Sequence, residues 1–112
     1  MTDLATKTCV PCRGGVPPMA RSEAERYLRE APGWALMDDG KRIERKFQFK
    51  NFKESLAFVN QVGALAEDEG HHPDITFGWG YAECMLWTHA IGGLHENDFI
   101  MASKINALQD GR

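Results

Sequence analysis

Apolar residues fall into two rhythms along this chain. In three stretches they recur every three or four positions, the period of a helix with one buried face. Ala24, Tyr27, Leu28 and Ala31 form the first stretch; Phe52, Leu56, Val59, Val62 or Gly63, and Ala66 form the second; Leu94, Met101, Ile105 and Leu108 form the third. Elsewhere polar and apolar residues alternate, the period of a half-buried strand. The run from Ile43 to Phe49 turns Phe47 and Phe49 inward. In the run from Ala82, the residues Ala82, Cys84, Leu86 and Thr88 point opposite to Glu83, Met85 and Trp87. Two shorter runs, Trp34 to Leu36 and Ile75 to Trp79, complete a hairpin with each.

Punctuation residues set the boundaries. Ser22 and Glu25 fit a capping box at the first helix, and Asn51 with Glu54 three residues on can cap the second. Pro32-Gly33 ends the first helix, Asp38-Asp39-Gly40 makes a turn, and Gly70 stops the second helix in the left-handed region. The last helix runs from about His95. The result is an α+β fold of order α-β-β-α-β-β-α: a four-stranded antiparallel sheet with three helices on one face. Residues 1–19, rich in Pro and Gly around Cys9 and Cys12, carry neither rhythm and read as a flexible tail before a domain over 20–112. Met85 and Trp87 on the helix-free face call for cover, which predicts a homodimer or homotetramer.

Composition narrows the function classes. The chain has 112 residues and an apolar fraction of 43%, enough for one core. Its net charge of -3 argues against a nucleic-acid surface. No apolar run approaches the about 20 residues of a membrane span, and the N-terminus lacks a secretion pattern. Three cysteines, an odd number, fit a reducing compartment, so the expected location is the cytoplasm.

The chemistry concentrates between Glu67 and Asp98, where three of the four histidines lie: His71, His72 and His89. Imidazole gives and takes protons near neutral pH. Glu67 lies one helical turn before His71 and is placed to orient it. The helix end Glu67-Asp68-Glu69 sets negative charge against the helix dipole, a local conflict that often marks a functional site, although a solvated acidic end explains Asp68 and Glu69 equally well. Adjacent His71 and His72 diverge on an extended chain, and the spacing matches no common zinc motif, so no metal is expected. Cys9 and Cys12 have metal-like spacing without a second pair, and Cys84 reads as a small buried apolar residue. Trp79 and Trp34 offer flat faces to a planar heterocycle or simply fill the core. His95 reads as a satisfied polar residue at a helix start.

The series Glu67-x-x-x-His71-His72-Pro73, Trp79, Thr88-His89 and Asp98 resembles the signature of the pterin-4a-carbinolamine dehydratases. Similar residues recur at Gly33-Trp34, Phe47 to Phe52, Gly92-Gly93-Leu94 and Asp98 to Ile105, so the resemblance spans about 20–108. The Cys9 and Cys12 tail resembles the extension of bacterial members. The resemblance implies the same element order and a hydro-lyase, 4a-hydroxytetrahydrobiopterin dehydratase. Its reaction turns 4a-hydroxytetrahydropterin into quinonoid dihydropterin and water, recycling the pterin of aromatic amino-acid hydroxylation without a cofactor. It implies His71 and His89 as the acid/base pair and His72 as a catalytic residue that positions the pterin. Glu67, Gly70, Pro73, Thr88 and Asp98 are the implied substrate-binding positions. Several members carry Arg where this chain has Asn97. A non-catalytic dimerisation module of the same fold, or action on another pterin such as a molybdopterin-related compound, is the alternative.

Overall fold

The computed structural model describes residues 4–10 and 15–110. Three helices and four strands follow in the expected order: α1 (Arg21–Leu28), β1 (Ala35–Met37), β2 (Arg42–Gln48), α2 (Phe52–Glu69), β3 (Asp74–Gly78), β4 (Tyr81–Leu86) and α3 (Glu96–Asp110). The strands form one antiparallel sheet in the order β1-β2-β4-β3. The two hairpins meet along β2 and β4, where Ile43 pairs with Leu86 and Phe47 with Ala82.

The alternation holds. Ile43, Phe47, Ala82, Cys84 and Leu86 are buried together with Phe58, Val62 and Ala66 of α2 and Phe99 to Ala102 of α3. Burial pushes the Cys84 thiol up to about 12, so it stays protonated and packs as a small apolar side chain. The α2 cap also forms as the sequence implies: Asn51 accepts from the Glu54 amide at 2.9 Å, and Glu54 accepts from the Lys50 amide at 3.1 Å. Among the described residues no helix is long and apolar enough to cross a membrane.

Four local expectations change. Ser22 caps nothing: α1 begins one residue earlier, at Arg21, after Ala20, with no side-chain cap. The buried stripe of α2 is Ser55, Phe58, Val62 and Ala66, so Phe52 and Leu56 face outward, 45% and 39% exposed. The apolar spacing there fits two neighbouring stripes, and sheet contact selects the one holding Phe58. Helix α3 is buried nearly all round rather than along one stripe. The turn after α1 covers a further side, with Ser103 donating to the Glu30 carbonyl and Asn106 to that of Pro32. Met85 and Trp87 point outward, half-buried, and part of their cover comes from within the chain: Arg42 reaches the Met85 sulfur at 3.6 Å and lies 4.6 Å above the Trp87 ring.

Residues 4–10, expected as part of a separate tail, lie against α3 and the end of α2. Leu4 and Cys9 are buried. The Cys9 amide donates to Glu69 at 2.9 Å, and Lys104 donates to the other Glu69 oxygen at 2.9 Å. Glu69 is therefore not a solvated end; its side chain is 8% exposed. The Cys9 amide, then the Lys104 ammonium, hold its carboxyl below the usual range. Because that shift is downward, the pair adds stability above the ordinary carboxylate range and loses it as pH falls through the lowered value. Burial, then the Glu69 charge, push the Cys9 thiol up to about 12, so it is no thiolate nucleophile. Cys12 lies outside the described residues.

Candidate active site

Three chain ends meet at one place: the C-terminus of α2, the exit of β4 and the first turn of α3. Gly70 takes the left-handed conformation (φ 67°) that closes α2, and the amides of Gly70 and His71 both turn back to the Ala66 carbonyl. His71 is thereby fixed at its backbone. Past it the chain extends toward Pro73, and the two adjacent rings diverge as expected: His71 is 11% exposed and His72 is 60% exposed.

Asp98 joins the three ends. It is the third residue of α3 and fully buried. Its Oδ2 accepts from the His95 amide at 3.0 Å and from the Thr88 hydroxyl at 2.8 Å. Its Oδ1 lies 2.6 Å from His71 Nε2. The His95 ring in turn accepts from the Asn97 amide at 3.0 Å, so the helix start is capped reciprocally, and His95 is a structural cap as the sequence implies. Both oxygens of the buried Asp98 carboxyl are therefore hydrogen-bonded. With two donors already at Oδ2, Asp98 accepts Nε2–H at Oδ1, which leaves Nδ1 as the ring nitrogen outside that bond.

A cleft of about 370 Å³ opens between the chain from Gly70 to Asp74 and the chain from Trp87 to Ala90. All three candidate imidazoles border it. His89 is exposed and opens a single 3-10 turn, His89–Ile91; its ring stacks on Trp87 at 3.9 Å between centroids. His72 pairs through Nε2 with Glu67, both exposed. A larger groove of about 680 Å³ lies beside Arg45 and Asn106 and is lined by no imidazole. Among the described residues no group of three or more His, Cys, Asp or Glu side chains is arranged to hold a metal ion.

Gly70, Pro73 and Thr88 line the cleft. Other placements differ. Glu67 orients His72, not His71, because the turn at Gly70 carries His71 inward under α3. Asp98 does not line the cleft; it acts on it through His71. Trp34 is core, donating to Asn106 Oδ1 at 2.9 Å, and Trp79 is 70% exposed in the β3–β4 turn. The aromatic wall of the cleft is Trp87 instead, which the sequence reading assigned to a subunit contact. Its signal was present: it stands two residues before His89 on the same strand face, so the two rings can stack. Asn97 points away from the cleft, toward Val10.

A family model for pterin 4 alpha carbinolamine dehydratase matches residues 17–108. This chain belongs to that family. A protein of Azoarcus sp. (strain BH72), provisionally named pterin-4-alpha-carbinolamine dehydratase, is 56% identical over 108 residues, 96% of this chain and 92% of that one. A protein of Rubrobacter xylanophilus with the same provisional name is 54% identical over 108 residues, 96% of this chain and 100% of its own. A crystal structure from Brucella melitensis, described as a transcriptional coactivator/pterin dehydratase, superposes with a TM-score of 0.76 at 34% identity, covering 81% of this chain and 97% of that one. A pterin dehydratase-like protein described as a RuBisCO assembly factor of the alpha-carboxysome matches with a TM-score of 0.59 at 26% identity, over 68% of this chain and 88% of its own. Membership of the dehydratase family therefore rests on nearly the whole length of the chain, and the relatives' common fold is the one described above.

Proposed function

We propose that the chain is a hydro-lyase that converts 4a-hydroxytetrahydropterin to quinonoid dihydropterin and water, serving pterin recycling in aromatic amino-acid hydroxylation. The observation that carries this reading is the cleft with three imidazoles, one of them held by a buried carboxyl. The reaction breaks the bond from C4a to its hydroxyl, removes a proton from the neighbouring ring nitrogen and forms a C=N bond. No electrons are exchanged with a partner. A proton must reach the departing oxygen and another must leave the nitrogen, work suited to a pair of imidazoles. His71 and His89 border the cleft from its two sides, and the Trp87 ring, held between Arg42 and His89, backs the second imidazole. The cleft volume lies within the range of small-molecule sites. A stopped-flow trace of 4a-hydroxytetrahydropterin should decay far faster with the protein than in buffer; equal decay rates would overturn the assignment. A non-catalytic scaffold would need no imidazoles around a cleft.

Self-association belongs to the same proposal, but through a different surface than Met85 and Trp87. Phe52 and Leu56 are an exposed apolar pair on α2, with the Phe52 ring 5.6 Å from that of Phe77. Leu56→Asp should convert the oligomer to a monomer in sedimentation at micromolar concentration. A wild-type protein that is already monomeric there would refute this surface.

A further inference from the structure

The residue before Asp98 and the residue two before His71 are both held by the same piece of chain. Asn97 is buried, and its side-chain amide makes a two-point clamp on Val10: Oδ1 accepts from the Val10 amide at 3.0 Å, and Nδ2 donates to the Val10 carbonyl at 2.6 Å. One residue earlier the Cys9 amide donates to Glu69 at the end of α2, and the Cys9 thiol lies 3.7 Å from the Asn97 carbonyl. Lys7 bonds Glu96 at 2.8 Å. Farther on, Pro18 packs so closely on Gly93 that a Cβ there would come within 2.6 Å of it, and the Met19 amide donates to the Leu94 carbonyl at 2.8 Å. The N-terminal segment thus grips α2 and α3 at the ends that carry the two partners of the His71–Asp98 bond. Nothing else among the described polar contacts joins those two ends beyond that bond itself and the Lys104–Glu69 pair.

We propose that residues 7–10 are a positioning strap for the active site, and that Asn97 is the positioning residue through which the strap fixes the distance between Asp98 and His71. The proposal rests on the dehydratase reading for its rate effects only. Exposed Val10 contributes its backbone, not its side chain. The Asn97 amide offers both a donor and an acceptor spaced to pair with one peptide unit. An arginine has no acceptor and could not make the same clamp.

The test uses the full-length chain. Val10→Pro removes the amide that Asn97 accepts, without touching either helix, and Val10→Ala restores it. Asn97→Ala removes the clamp from the other side. The imidazole proton of His71 shared with Asp98 should be visible far downfield in the proton spectrum of the wild type. In Val10→Pro and in Asn97→Ala it should exchange with water at least ten-fold faster, while the amides of β2 and β4 keep their protection. Turnover of 4a-hydroxytetrahydropterin should show kcat down about ten-fold at a KM within two-fold, with Val10→Ala returning both to wild type. An unchanged His71 proton and unchanged kcat in both variants would overturn the strap's role. A wild type without turnover would refute the dehydratase assignment and leave the exchange rates to decide the strap alone.

Discussion

Asp98→Ala should lower the unfolding free energy by about 3–5 kcal/mol, the largest stability loss of any site substitution in this chain. The reason is that Asp98 is fully buried and three donors end on it: the Thr88 hydroxyl, the His95 amide and the His71 ring. Alanine leaves all three unpaired and opens a hole at the start of α3. Asp98→Asn separates the structural part from the chemical part. It keeps the volume and one acceptor, so about 1–2 kcal/mol of loss is expected in a urea melt. Its NH₂ group, however, must face either the His71 ring or the two donors that share Oδ2. If it faces His71, the ring turns over its tautomer and loses Nδ1 as the base, and kcat should fall about 10²–10⁴-fold. An Asp98→Asn protein that melts and turns over like the wild type would show that the carboxyl is not the junction described here.

The fold was legible because its signals are local and consistent. The period-2 runs at Ile43 and Ala82 and the caps at Asn51 and Gly70 each act within a few residues, and the structure keeps them. What failed is decided by distant contacts. Two apolar stripes on α2 are equally good on paper, and only the sheet chooses between them. The segment around Cys9 has no period of its own, since its bonds run to Glu69 and Asn97, 60 and 87 residues away. At the site, His71, His72 and His89 stand out by residue type, and Gly70, Pro73 and Thr88 come from the family resemblance; all of them border the cleft. The pairing with the acidic residues could not be read the same way. Glu67 is the partner the sequence offers His71, but the turn at Gly70 gives His71 to buried Asp98 and leaves Glu67 to His72.

His71→Ala and His89→Ala should each cost about 10²–10⁴ in kcat, the worth of a well-placed acid or base, or roughly 3–5 kcal/mol of barrier. Their stability costs should differ. His89 is exposed and rests on Trp87, so its loss should change the melt by no more than about 0.5 kcal/mol. His71 fills one oxygen of a buried carboxyl, so its loss should cost about 1–3 kcal/mol, since Asp98 Oδ1 is then unsatisfied. Losses in a pair that acts on one substrate are not additive, and the double variant should be little worse than the slower single one. His95 is the control: its ring caps α3 and does not border the cleft, so His95→Ala should lose about 1 kcal/mol of stability and almost no rate. Stopped-flow turnover beside urea melts reads all four proteins. Full activity in the double variant, or a rate loss in His95→Ala equal to that of His71→Ala, would move the acid/base pair elsewhere.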